Sequence, residues 1–206
     1  MEGLGLRGRR TPWGFAIVAA LVLASGCAHR PDGPPGLHPA FSAPPEGYSS
    51  EGEDIAFTNA LVSLKARHEM SPGPETPAFF RTLSERGYLL IRVDVENLSK
   101  VRVIFKPSHA VLKTNRLDYG RPLDYTDLYQ IAGSAGGGAT GDVMSKIKGK
   151  FYDLDVMIMP GKRSSRLLVF SPIEPKSSKA SLGIRDLYVG TEPLDIFFPF
   201  KVRAGQ

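Results

Sequence analysis

From residue 55 to residue 202 the chain repeats one pattern. Apolar and polar side chains alternate over a short run, and then a proline, glycine or asparagine ends it. A period of two sends successive side chains to opposite faces of a strand. Tyr88–Asn97 is the fullest example: Leu89, Ile91, Val93 and Val95 face one way, and Leu90, Arg92, Asp94 and Glu96 the other. Ile55–Arg67 alternates as well, with Ala60, Val62, Leu64 and Ala66 set against Leu61, Ser63, Lys65 and Arg67. After a turn at Asn97–Lys100, the run Val101–Lys106 returns with Val101, Val103 and Phe105 inward, until Pro107 stops it; Ala110–Thr114 is a weaker strand. Tyr152–Met159 places Leu154, Val156 and Ile158 opposite Asp153, Asp155 and Met157. Pro160-Gly161-Lys162 then turns the chain into the buried run Arg166–Phe170, and Ala180–Val189 and Leu194–Val202 finish the series. Pro199 has no N–H for a ladder, which assigns its strand to an edge or a bulge.

Two helices interrupt the strands. Thr76-Pro77 is an N-cap followed by proline in the first turn, Phe79, Phe80 and Leu83 form a buried stripe, and Gly87 closes the helix. Pro122–Tyr129 predicts a second short helix, capped by Thr126 or Asp124. Gly133–Gly141 is glycine-rich enough for a flexible loop, and Val143–Phe151 fits either period, with Val143, Ile147 and Phe151 on one face. About eight short strands, turn residues between them and two short helical insertions predict a mainly all-β fold, an antiparallel β-sandwich.

The first fifty residues have neither period. Arg7, Arg9 and Arg10 precede an uninterrupted apolar run that ends in small residues before Cys27, the order of a secretory signal. Trp13–Ala24 is about a dozen residues long, against the ~20 that a spanning helix needs, so a permanent transmembrane helix is not expected. Residues 28–50 carry Pro31, Pro34, Pro35, Pro39, Pro44 and Pro45 with glycines between them, which predicts a disordered, semi-extended tether of ~3.1 Å per residue. His29 and His38 are then solvated tether residues. The expected division is a signal peptide over 1–26, a modified cysteine and tether over 27–50, and a sandwich over 51–206.

Leu23-Ala24-Ser25-Gly26-Cys27 resembles the lipobox of bacterial lipoproteins. The resemblance implies that the Cys27 thiol carries diacylglycerol, that the chain is cut before it and that the new amine is acylated. Two or more acyl chains hold a protein stably on a membrane, whereas one does not. It also accounts for a lone cysteine in an oxidising compartment. Ala28 stands where an aspartate would retain an enterobacterial lipoprotein at the inner membrane, so the sorting rule of that family implies the outer membrane, facing the periplasm. In the remainder, Ile91-Arg-Val-Asp-Val-Glu-Asn-Leu-Ser, Met159-Pro-Gly-Lys and Leu167-Leu-Val-Phe resemble bacterial lipoproteins with an immunoglobulin-like extracytoplasmic domain. Their pattern is a hydrophobic strand ending in E-N-x-S, then P-G-x, then L-V-F. These motifs bear on fold and hardly on activity.

Charge narrows the partners. Removal of residues 1–26 lowers Lys+Arg from 26 to 23 and Asp+Glu from 21 to 20, a net charge of +3. That excess is thin for nucleic acid, and no block of five like charges occurs. With 42% apolar residues the part beyond the tether closes one core without disulfides.

Candidate chemistry is sparse. A phosphate-binding loop needs Lys and Ser or Thr after its last glycine, whereas Gly141 is followed by Asp142. Of the histidines, His68 and His109 fall in the predicted sandwich, and no G-x-S-x-G elbow or H-E-x-x-H helix accompanies them. His68 and Met70 form an H-x-M pair that, together with Met157 or Met159, would suit Cu(I), an alternative role as a periplasmic metal or small-ligand carrier. Methionines on a strand beside core positions more commonly pack. Tyr125 and Tyr129 supply the candidate recognition surface, since tyrosines are favoured in interfaces. The sequence therefore predicts a lipid-anchored envelope protein that acts as a non-enzymatic binding or assembly module. No cofactor, catalytic residue or metal is expected, and the partner is another envelope protein or the cell wall.

Overall fold

The computed structural model describes residues 34–70, 77–116, 120–134, 140–147, 155–174 and 176–203. The signal-peptide reading and Cys27 lie outside them. Eleven strands and three α-helices occur among the described residues, and the strands make two antiparallel sheets. One sheet runs β2 (Tyr48–Glu51), β3 (Asp54–Thr58), β4 (Val62–His68), β5 (Leu89–Asn97), β9 (Arg163–Phe170). The other runs β1 (Gly36–Pro39), β11 (Glu192–Arg203), β10 (Lys179–Val189), β6 (Val103–Phe105), β8 (Val156–Ile158), with β7 (Val111–Thr114) also on β10. The fold is a β-sandwich.

The alternation read from the sequence sets the faces. Leu89, Ile91, Val93 and Val95 of β5 join Val62, Leu64 and Ala66 of β4 in the core between the sheets, facing Leu182, Ile184, Ile196, Phe198 and Phe200 of β10 and β11. Burying each such side chain stabilises the fold by roughly 1.5–3 kcal/mol. A second core lies outside the first sheet. Leu90 of β5 and Leu167 and Val169 of β9 point away from the sandwich and meet Phe80 and Leu83 of α1 (Ala78–Glu85), Leu128 and Ala132 of α2 (Tyr125–Ser134), and Met144 and Ile147 of α3 (Thr140–Ile147).

Several sequence expectations need correction. Residues 36–39 and 48–51, assigned above to the tether, are strands: β1 pairs with β11 from Gly36↔Arg203 to Pro39↔Phe200, and Leu37 is fully buried. Leu37 shows why proline content misled, since one apolar side chain seated in the core holds a short edge strand among its prolines. Ile55–Arg67 is a hairpin, not one strand; Asn59 Oδ1 accepts the N–H groups of Leu61 and Val62 and turns the chain. Three helices are present where two were expected, because α3 occupies the start of the ambiguous 143–151 run, and Gly133 and Gly141 lie within helices. The middle of the glycine stretch lies outside the described residues. Val101–Lys106 does not fold back on β5. It crosses to the other sheet, where β6 pairs with β10 and β8, and Val101 points outward.

The edge expected for the Pro199 strand is not found, since β11 lies between β1 and β10, but Pro199 itself sits just past the end of β1. Its carbonyl accepts the N–H of Ala40 one residue beyond the last β1–β11 pair, so the missing N–H lies on the side where β1 ends, away from β10.

Candidate partner surface

The segment leading into α2 is fixed from both sides. Leu123 donates its N–H to the Val169 carbonyl at 2.7 Å, which binds the segment to the open edge of β9. Asp124 then acts as the N-cap. Its Oδ1 accepts the Asp127 N–H at 2.9 Å, while Asp127 Oδ2 accepts the Asp124 N–H at 2.8 Å, a reciprocal capping box with aspartate in both places. Of the two caps the sequence offered, Asp124 is used. Arg121 Nη1 lies 3.3 Å from Asp124 Oδ2 and 2.9 Å from Asp127 Oδ2. The backbone hydrogen bond from Asp127 and the Arg121 guanidinium hold the Asp124 carboxyl below its ordinary value.

With the start of α2 set, its faces follow from the helical period. Leu128 and Ala132 turn inward to the second core. Tyr125 and Tyr129, one turn apart, turn outward; they are 37% and 49% exposed, and their ring centroids lie 6.5 Å apart. The structure therefore brings together the two tyrosines that the sequence singled out. At the segment leading into α2 is a feature that sequence reasoning missed. A cleft of about 150 Å³ opens between the turn at Pro107-Ser108, the Arg121–Asp124 segment and Leu167–Val169 of β9. Its lining is mostly apolar and includes Arg121 and Asp124, so it suits a small apolar side chain flanked by polar groups. Nothing local in the sequence marks it, because three separate segments build it.

The alternative ligand set is not assembled. His68 is buried at the β1 side, where its Nδ1 accepts the Leu37 N–H at 3.1 Å. Burial first, and then neighbouring His38, lower its pKa to about 4, so the ring is neutral and its proton sits on Nε2, leaving no free lone pair for a metal. Met157 and Met159, by contrast, lie on and just after β8, at the opposite edge of the six-stranded sheet, and both are more than half exposed. His68 and Met70 therefore share no site with them. Among the described residues no three His, Cys, Asp or Glu side chains gather to hold a metal ion. His38 is not a tether residue but part of β1, with Nδ1 3.8 Å from Glu53 Oε1.

His109 has a carboxylate partner, Asp186 Oδ2, at 2.7 Å. The pair has a structural function. β10 carries a bulge between Ile184 and Leu187, and Asp186 lies there at φ 52°. The short 3₁₀ turn Pro107–His109 interrupts the β6–β7 edge opposite that bulge, and the His109–Asp186 contact closes the gap. Both side chains are over two-fifths exposed, and no serine or threonine hydroxyl hydrogen-bonds the ring among the described residues.

Among the described residues no helix is long and apolar enough to cross a membrane. No family model matches the chain, and no curated protein matches it. Among solved structures it is similar to the yjhA protein of Bacillus subtilis, at 12% sequence identity and a TM-score of 0.40, over 69% of this chain and 93% of that one. A likeness this slight carries no functional argument.

Proposed function

We propose that this protein is a lipid-anchored envelope module, built on an immunoglobulin-like sandwich, that binds another envelope protein or the cell wall without catalysing a reaction. The observation that carries it is the α2 surface. Two tyrosines are held outward by a capped helix whose other face is locked into a core, and an apolar cleft opens at the segment leading into that helix. Rings fixed in this way lose little entropy on binding, which suits them as anchors. The anchor itself rests on the lipobox resemblance at Cys27, and the outer membrane on the residue that follows it.

Two experiments test the parts separately. Cells fed a labelled fatty acid should label the wild-type chain but not Cys27→Ser; equal labelling of both removes the anchor. For the surface, crosslinking in intact cells should capture a partner that is lost on Tyr125→Ala with Tyr129→Ala. Capture of the same partners by the double variant sinks the α2 assignment. The melting temperature of that variant should stay close to wild type, because exposed side chains cost within about 0.5 kcal/mol.

A further inference from the structure

The E-N-x-S and P-G-x motifs converge on one end of the sandwich. Asn97 is fully buried there and ties the 98–102 and 159–162 loops together. Its Nδ2 donates to the carbonyls of Val101 and Ile158, both at 2.8 Å, and its Oδ1 accepts from the N–H and Oγ of Ser99. Its backbone exchanges hydrogen bonds with Gly161 and Lys162. Leu98 donates its N–H to the Leu61 carbonyl, and Gly190 donates to Arg102. The 59–61, 98–102, 159–162 and 190–191 loops are thereby stitched into a single rigid end.

The outward side chains at this end are not what a solvated loop cluster carries. Leu61, Leu98, Val101 and Met159 are 44%, 45%, 48% and 55% exposed, and Met157 stands beside them on β8. Between them project Lys100, Arg102 and Lys162, all exposed, with Arg163 just behind, paired to Glu96. Those four loops contain no carboxylate. Exposed aliphatic side chains clustered on neighbouring loop tips mark a contact surface. The cleft described above lies elsewhere, and this end has no aromatic anchor of the kind that dominates protein interfaces. Separate aliphatic tips with cations between them fit a surface that can flow around them and carries negative charge.

We propose that this loop end docks on an anionic lipid bilayer, with Leu61, Leu98, Val101 and Met159 entering the headgroup boundary and Lys100, Arg102 and Lys162 facing lipid phosphates. The contact is separate from acylation at Cys27 and from the α2 surface.

Both cores lie within the compact unit Pro31–Gln206, so a chain starting at Ala28 keeps the fold and lacks the acylation site. Its circular dichroism and melting are recorded first, for each variant. In flotation with vesicles of phosphatidylcholine alone or mixed with phosphatidylglycerol, it should rise with the mixed vesicles, and less so as salt is added. Lys100→Glu with Lys162→Glu should weaken that partition roughly tenfold or more. Leu98→Ser with Val101→Ser should weaken it by a similar factor. Tyr125→Ala with Tyr129→Ala should leave it unchanged. Absence of flotation with the mixed vesicles, or equal flotation of wild type and both loop variants, overturns the proposal. So does a protein crosslinked from Val101 in the absence of vesicle binding, which would make this end a protein interface. Because the test chain lacks Cys27 and the tyrosines are a separate arm, none of these outcomes decides the proposed anchor or the α2 partner.

Discussion

The two hydrophobic cores of this molecule are built differently. Between the sheets, strands contribute every second side chain, and each sheet closes the other; Phe198, Phe200, Ile91 and Val93 are all at most 1% exposed. Outside the first sheet, three short helices cover only β5 and β9, while β4 on the same face shows Lys65 and Arg67 to solvent. The first core is closed from both sides by hydrogen-bonded ladders. The second is closed by helices of eight and ten residues joined through loops, and helices this short are held by their packing and not by propensity. The contrast suits the division of labour proposed above, a rigid frame carrying a thinner layer that presents the tyrosines.

Truncation inside the frame should be the most damaging change. Phe198→Ala leaves a cavity in fully buried surroundings and should cost about 4 kcal/mol in urea unfolding. If it costs no more than a substitution in the helical layer, the two cores do not differ in the way described.

Acid should loosen the frame at one edge. His68 accepts the Leu37 N–H only while neutral. Its pKa is about 4 in the fold and 6.5 in the reference state, so between those values the unfolded chain binds a proton that the folded chain does not. Stability from this group is fully present above pH 6.5 and falls as the pH drops toward 4, by on the order of 3 kcal/mol. The slope of unfolding free energy against pH should flatten over that window in His68→Leu. An unchanged slope would mean that His68 does not hold β1 to the frame.

In the helical layer, Leu128→Ala should cost about 2 kcal/mol, the low end for a buried leucine, since short helices can settle into the space. Hydrogen exchange of α2 amides should quicken while β5 amides remain protected. Equal acceleration in both would merge the two cores into one cooperative unit.

The two regions were also unequally legible in the sequence. β5, β10 and β11 were readable because a period of two is a local consequence of strand geometry, and β9 as a short buried run. Arg166–Phe170 was visible as a buried run, whereas Leu90 was set on the polar face of β5 and is buried under the helices, which no local signal announces. Tyr125 and Tyr129 were legible as a helical pair one turn apart. The cleft at the start of that helix was not, nor was the loop end, whose residues come from four places in the chain.

β1 shows the limit from the other direction. Its prolines predicted a tether, and what overrode them was a single contact set, Leu37 in the core and its N–H on His68, made by strands far along the chain. His38 moved with it from tether to strand, and His68 lost its candidacy as a ligand through the same hydrogen bond.

The sequence by itself determined the alternating faces of β4 and β5 and the existence of a sandwich, because strand alternation depends on neighbours within a few residues. It also supplied the grounds for expecting an anchor at Cys27. Only the tertiary structure decided that Val101–Lys106 crosses between sheets and that His68 lies beside β1 while the methionines lie at the far edge of that strand's sheet. It alone brought four loops to one end of the sandwich, two of them tied by Asn97, with their aliphatic tips outward. Those outcomes depend on which distant backbone groups satisfy one another on burial, and no local period encodes that choice.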